Sequence, residues 1–258
     1  MTGTTAAPEF VTLTQQDGIA VLRLNRPDRL NAASAELVTD FKTALDRAVA
    51  NDAVVVVVTG EGRAFCAGHD LKATTLPPES SEALLHLNNL QNITRILRSA
   101  AVISIAAVHG YALGAGVEFA LSCDLIVAEE GTTFGFPEVS VGLSVTGGIS
   151  YLLPQAIGLP RAKELVLLGE NFGVEKALEL GLINRVTAPG LRLTVALELA
   201  QRIISQPHRA LALAKESFEV AVRSQVESAM AVEISNALLT GDSTDADVAR
   251  SVFAARLQ

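Results

Sequence analysis

Val54 to Val58 is an unbroken run of five valines. β-branched side chains lose rotamer freedom in a helix and pack well on a pleated surface. A strand with one wet face alternates apolar and polar residues, and this run does not. It is expected to be a strand buried on both faces, so other elements must cover it above and below. Gly60-Glu61-Gly62 ends it. Ala101–Val108 reads as a second strand of the same kind.

The rest of the chain supplies the cover. Phe10–Thr14 and Ile19–Leu24 alternate around Gln16-Asp17-Gly18, which predicts a β-hairpin. Asn25-Arg26-Pro27-Asp28 breaks the second strand. Ser34 caps a predicted helix whose apolar face includes Leu37, Phe41, Ala44, Leu45 and Ala48. A polar segment with Pro77 and Pro78 reads as a loop, and a helix is expected from about Ser80 to Arg98. Gly110–Gly116 reads as a turn and helix start. Leu125–Ala128, Thr132–Phe136 and Leu182–Val186 read as strands. Val145–Ile157, Arg161–Leu168 and Val174–Leu180 read as helices. From Leu191 the pattern turns helical, over Leu191–Ile204, Arg209–Ser224 and Val226–Leu239, and more weakly over Asp245–Arg256. The expected organisation is a mixed core over residues 1–190 and a helical region over 191–258. That mixture predicts an α/β or α+β fold without specifying its topology.

Composition narrows the function classes. Of the 258 residues 49% are hydrophobic and 19% charged, as in a globular protein able to bury a large core. The formal net charge of −8 argues against a nucleic-acid partner, because phosphate binding draws on Lys and Arg. It leaves room for a small anionic ligand on a local patch. Two distant cysteines, Cys66 and Cys123, make no disulfide framework, and the start of the chain has no signal-like pattern. A cytoplasmic protein is expected. Ser99–Leu121 is hydrophobic, but His109, Glu118 and its glycines fit a strand, turn and helix better than a membrane span. His69, His86, His109 and His208 lack metal-ligand spacing, so no metal site is expected. No Gly-x-Ser-x-Gly or Walker motif occurs.

Three segments carry candidate chemistry. In Cys66-Ala67-Gly68-His69-Asp70, Gly68 permits dihedrals that aim neighbouring N–H groups into a cleft, where they stabilise an oxyanion. The plainer reading is an ordinary turn with Asp70 as a cap, and His69's side chain reads as structural. Gly110-Tyr111-Ala112-Leu113-Gly114-Ala115-Gly116-Val117-Glu118 lets a ligand or backbone approach closely and opens a helix with free N–H groups. It lacks the Gly-x-Gly-x-x-Gly spacing of a dinucleotide loop. Glu118 has apolar neighbours, as a carboxylate of raised pKa would, although a narrow exposed stripe would look the same. Phe134-Gly135-Phe136-Pro137-Glu138 precedes Gly142 and Gly147-Gly148. Alone, Glu138 reads as a first-turn glutamate favoured by the helix dipole.

Taken in order, these motifs resemble the enoyl-CoA hydratase/isomerase (crotonase) superfamily across nearly the whole chain. Asn25-Arg26-Pro27 with Leu30-Asn31-Ala32 is similar to its N-terminal signature. Phe65–Leu71 is similar to its Ala-Gly-x-Asp loop, and Gly110–Glu118 with Cys123-Asp124 to its central signature. Phe136-Pro137-Glu138, Gly147-Gly148, Arg161-Ala162 and Ala177–Leu182 are similar to later segments. The resemblance implies a crotonase-like (ClpP/crotonase) spiral of ββα units with a helical C-terminal region. It implies an acyl-CoA thioester as substrate, no cofactor beyond the substrate's own coenzyme A, and a homotrimer or dimer of trimers.

By the same resemblance the thioester carbonyl sits between the backbone N–H groups of His69 and Ala115. Arg29, Leu30, Ala67, Gly68, Asp70, Leu71, Lys72 and Gly114 line the substrate and its coenzyme A arm. Glu118 and Glu138 occupy both hydratase glutamate positions, with Glu138 exchanging the α-proton and Glu118 holding the water. The implied reaction is hydration of a trans-2-enoyl-CoA to a 3-hydroxyacyl-CoA. The alternatives are 3-enoyl-CoA isomerisation and a catalytically weak acyl-CoA-binding member. Three departures bear on substrate choice. His69 is bulky, Ala115 replaces a common glycine, and Leu143-Ser144-Val145-Thr146 replaces a proline-containing loop. Dienoyl-CoA isomerases carry an Asp near Thr146, so the threonine argues against that activity. Lys215 and Arg256 are candidates to meet the nucleotide phosphates of a neighbour's ligand.

Overall fold

The computed structural model describes residues 9–71, 80–99, 101–241, 243–244, 248–249 and 251–252. The expected Pro77-Pro78 loop, Lys72, Arg256 and most of the weak helix at 245–256 lie outside them.

β1 (Val11–Gln16) and β2 (Ile19–Leu24) form the expected hairpin. Its Asp17-Gly18 turn has positive φ at both residues, 50° and 77°, a geometry that suits the twist of a two-residue hairpin. α1 (Ala35–Ala50) follows, with Ser34 Oγ accepting from the Leu37 N–H. β3 (Val55–Gly60) contains four of the five valines and is buried at every position, and Val54, partly buried, precedes it. Beyond it come α2 (Ser81–Arg98), β4 (Ile103–Val108), β5 (Tyr111–Leu113), α3 (Ala115–Leu121), β6 (Leu125–Glu129) and β7 (Thr133–Gly135). Then follow α4 (Ile149–Ile157), α5 (Leu159–Leu168), β8 (Asn171–Gly173), α6 (Val174–Glu179) and β9 (Arg185–Thr187). The helices α7 (Arg192–Ile204), α8 (His208–Val220) and α9 (Arg223–Gly241) follow.

The main sheet has six strands in the order β1-β2-β3-β4-β6-β9. Only the β1–β2 pair is antiparallel; β2 through β9 run parallel. A second sheet of three strands has the order β5-β7-β8.

The valine run is buried on both faces, as predicted. Val55 and Val57 join Ile105, Ala107 and Val127 in a cluster closed by Ala196, Leu199 and Ala200 of α7. Val56 and Val58 face the larger cluster, with Leu37, Phe41 and Leu45 of α1 and Phe119 of α3. Phe41 and Phe119 meet edge to face at 5.2 Å, a favoured aromatic geometry. A smaller apolar cluster joins Leu152 of α4 to Val226 and Met230 of α9.

Three expectations needed correction. Gly110–Gly116 contains a short strand, Tyr111–Leu113, before its helix begins. The helix expected from Val145 starts at Ile149, because Gly147 and Gly148 take φ of 68° and 78° and turn the chain first. β8 was not expected. Lys215 does not face solvent or a ligand. It is 6% exposed and donates to Leu97 O, Val102 O and Asp124 Oδ2 at 2.6–2.7 Å.

Candidate active site

The Ala67–Asp70 loop is held from two sides. Ala67 N–H donates to Leu30 O at 3.0 Å, and Ala33 N–H donates to Gly68 O at 2.8 Å. Asp70 N–H donates to Ala33 O at 3.3 Å. Gly68 O and Asp70 N therefore face Ala33, so the N–H of His69 between them points the opposite way. Arg26 secures the arrangement by donating to Asp70 Oδ2 at 2.8 Å and to Ala32 O at 2.9 Å. Asp70 thus forms an ion pair with Arg26. Buried Asn31 ties the preceding loop, accepting from Arg26 N and donating to Glu61 O and Ala64 O.

The second loop lies directly alongside. Gly68 and Gly114 both need left-handed φ, 97° and 50°. A methyl on Gly68 would lie 3.0 Å from Leu113 O, and one on Gly114 would lie 3.6 Å from Gly68 Cα. Glycine is the residue that allows this backbone-to-backbone approach. Ala115 is the first residue of α3, so its N–H has no partner within the helix. Among the described residues neither the His69 nor the Ala115 amide donates to an acceptor. The His69 and His86 rings stand 6.2 Å apart. Desolvation, then His86, lowers the His69 imidazole to about 4, so it is neutral at neutral pH.

The two glutamates are both buried, at 1% exposure for Glu118 and 2% for Glu138. Glu118 is not on an exposed stripe. Its Oε1 accepts from Thr146 N at 2.7 Å and its Oε2 from Thr146 Oγ1 at 2.6 Å. Burial first, then the Glu138 carboxylate, raises its pKa to about 8 against the lowering effect of Thr146.

Glu138 is not a dipole-capping glutamate either. It precedes a single 3₁₀ turn, Val139–Val141, and its side chain caps nothing. Among the described residues neither carboxylate oxygen has a hydrogen-bond partner. Burial raises its pKa to about 7. Its Oε1 would lie 2.8 Å from a methyl on Gly114, so the carboxyl stands against the glycine that opens α3. A buried polar group with no partner is costly and calls for an explanation, a catalytic role being one.

The structure thus brings Glu138 to Gly114, and Gly114 to Gly68, with Glu118 one turn into α3. The chain belongs to the enoyl-CoA hydratase/isomerase family. The family's sequence pattern matches residues 14–258. The short-chain-enoyl-CoA hydratase of Clostridium acetobutylicum is 31% identical over 86% of this chain and 86% of its own length. The 4-chlorobenzoyl coenzyme A dehalogenase-2 of an Arthrobacter species is 31% identical over 96% of this chain and 88% of its own. An enoyl-CoA hydratase from Mycobacterium avium subsp. paratuberculosis superposes with a TM-score of 0.86 at 26% identity, covering 96% of each chain. The fold is the crotonase fold.

The other anticipated family positions among the described residues lie on or beside the same loops. Arg29 is exposed at the end of a 3₁₀ turn, and Leu30 follows with φ of 50°. Leu30, Ala67 and Leu71 are partly exposed near the same loop. No cluster of His, Cys, Asp or Glu suited to a metal occurs among the described residues. No helix among them is long and apolar enough to cross a membrane.

Sequence reasoning gave Thr146 no role toward Glu118. It also passed over Glu233 of α9, which reaches the same corner. Val226, Met230 and Glu233 are buried at helical spacing, so a carboxylate on an apolar stripe was the available signal.

Proposed function

We propose that this chain hydrates trans-2-enoyl-CoA thioesters to 3-hydroxyacyl-CoA. The observation that carries the reading is the contrast between two buried carboxyls, Glu118 gripped by Thr146 and Glu138 with both oxygens free. They lie beside two loops whose amides at His69 and Ala115 are unpaired among the described residues.

The thioester oxygen would accept from these two amides. Conjugation then draws electrons from the β-carbon, and the amides stabilise the enolate as charge reaches that oxygen. Raised pKa values let the pair share one proton near neutral pH. Burial raises Glu118 the further of the two, to about 8 against about 7, but Thr146 N–H can only donate, and on that contact we place the negative charge on Glu118 in the reacting state. Ionised Glu118 would take a proton from water as the water oxygen bonds to the β-carbon. Protonated Glu138 would then deliver its proton to the α-carbon. General acid–base help of this kind is worth about 10²–10⁴-fold in rate. Arg29, Leu30, Ala67, Asp70, Leu71 and Lys72 would line the coenzyme A arm, and the assembly would be a homotrimer or dimer of trimers. No cofactor enters the scheme.

The test is loss of conjugated-thioester absorbance with short and medium trans-2-enoyl-CoA substrates. Fast loss, abolished in Glu138→Gln, supports hydration; no loss with any chain length rejects it. A second reading, 3-enoyl-CoA isomerisation, is favoured by one observation. Both oxygens of Glu118 already accept from Thr146, leaving Glu138 to move a proton alone. Conversion of a 3-enoyl-CoA without hydration would establish that reading.

A further inference from the structure

Glu233 is a buried carboxylate that the reaction scheme does not use. It sits on α9, 1% exposed, on the stripe with Val226 and Met230. Its Oε2 accepts from Gly148 N at 2.7 Å. Its Oε1 accepts from Ser150 N at 2.9 Å and Ser150 Oγ at 2.6 Å. Gln91 Nε2 lies 3.5 Å from Oε2. α4 begins at Gly148–Ile149 without a side-chain cap of its own. Glu233 therefore supplies from far along the chain the acceptor that a local Ser or Asp usually provides.

This corner is continuous with Glu118. Thr146, two residues before Gly148, makes both hydrogen bonds to the Glu118 carboxylate. Gly147 O accepts from Thr94 Oγ1 at 3.2 Å, and Thr94 pairs with Ser122 Oγ at 2.9 Å. Ser122 Oγ in turn donates to Glu118 O at 2.7 Å. A methyl on Gly147 would lie 3.1 Å from Glu118 Cβ, so the corner packs directly on the glutamate.

We propose that Glu233 is a positioning residue for Glu118: by pinning Gly148 and Ser150 it holds Thr146 where it orients the Glu118 carboxylate toward the water. The proposal rests on the hydration reading above. It links the C-terminal helix to the water-adding step and not to the α-proton step, because among the described residues neither Glu138 carboxyl oxygen hydrogen-bonds to this network.

The titratable groups near Glu118 are Glu138, Glu233 of α9 and Cys66. Removing the Glu233 charge alone would make Glu118 easier to ionise. Releasing Thr146 would make it harder, because a hydrogen bond to the charged form is lost. The direction of the pH shift therefore separates positioning from a simple charge effect.

The experiment measures hydration and exchange of α-protons from a saturated acyl-CoA into D₂O, in native protein, Glu233→Gln, Ser150→Ala and Thr146→Val. Glu233→Gln should lower hydration kcat by about 10- to 100-fold, the scale of a small misplacement of a reacting group. KM and Glu138-dependent exchange should hold within about threefold. The acid limb of the hydration pH profile should move to higher pH. Ser150→Ala, which leaves the Glu233 charge in place, should show the same shift at smaller size. Glu233→Gln and Thr146→Val combined should lose little more than the larger single loss. Equal losses of hydration and exchange, an acid limb moved to lower pH, or additive losses would overturn the proposal. Absence of hydration in the native protein would instead defeat the functional reading, and the two failures are thus distinct.

Discussion

Replacing Glu138 by glutamine should make the folded protein more stable near neutral pH while removing its activity. The carboxyl is 2% exposed and among the described residues neither oxygen has a hydrogen-bond partner, so its charged form is poorly supported. Burial raises its pKa from 4.5 to about 7. Between these values the native state holds a proton that the unfolded chain has released. Stability therefore falls as pH rises through that window, and it is highest below the unfolded value. At about 1.36 kcal/mol per pKa unit, the ionisable carboxyl costs on the order of 3 kcal/mol at pH 7 and less than about 1 at pH 5. Glutamine has nearly the same shape and no such titration. Its advantage over the native residue should grow by about 2 kcal/mol from pH 5 to pH 7, or roughly 4–8 °C in melting temperature for a chain of this size. Melting both proteins at half-unit intervals across that range measures the difference directly. The change with pH is the informative quantity, because the buried amide carries its own constant cost. A difference in melting temperature that stays flat from pH 5 to 7 would refute the view of Glu138 as a carboxyl kept neutral by burial. The same variant should lose at least about 10²-fold in kcat, as expected for removal of a general acid.

Thr146→Val removes the hydroxyl bound to Glu118 Oε2 and keeps the main-chain contact at Oε1. Hydration kcat should fall about tenfold with little change in KM, measured by steady-state kinetics. Gly114→Ala should lose more than about 10²-fold in activity, because its methyl would lie 2.8 Å from Glu138 Oε1 on a backbone with φ of 50°. A variant that folds by circular dichroism yet keeps native kcat would contradict that placement. Lys215→Met should destabilise the fold by about 2–4 kcal/mol in urea unfolding, since it strands two carbonyls and leaves Asp124 with Ser104 but without its cation. Coenzyme A affinity by calorimetry should be unchanged in that variant, as the ammonium is directed inward.

How far the chain can be read without coordinates depends on whether a feature is local. The five-valine run demanded cover on both faces, and the structure supplies α7 on one and α1 with α3 on the other. Asp17-Gly18 determined the hairpin turn, and Ser34 the start of α1, because each acts through its own neighbours. The ordered motifs from Asn25 to Leu182 determined the family. Short pieces escaped: β5 and β8 are three residues each and form by pairing with distant segments, both with β7 and β5 also with Cys66. The valines also leave unsaid that β2, β3, β4, β6 and β9 of the main sheet run parallel, since direction is set by how the connecting segments return the chain.

The site divides along the same line. Local sequence made Gly68 and Gly114 candidates for unusual backbone, and the resemblance singled out both glutamates. Tertiary structure decided that Glu118 is buried and bound by Thr146, and that Glu138, which by itself looked like a helix-start glutamate, has a carboxyl without a hydrogen-bond partner among the described residues. It turned Lys215 from a candidate phosphate contact into an internal clasp. It also brought Glu233 to Gly148 across 85 residues of chain. Hydrogen bonds between distant segments leave no periodic trace in a sequence. The state of a carboxyl depends on which atoms surround it, and only the folded chain determines those.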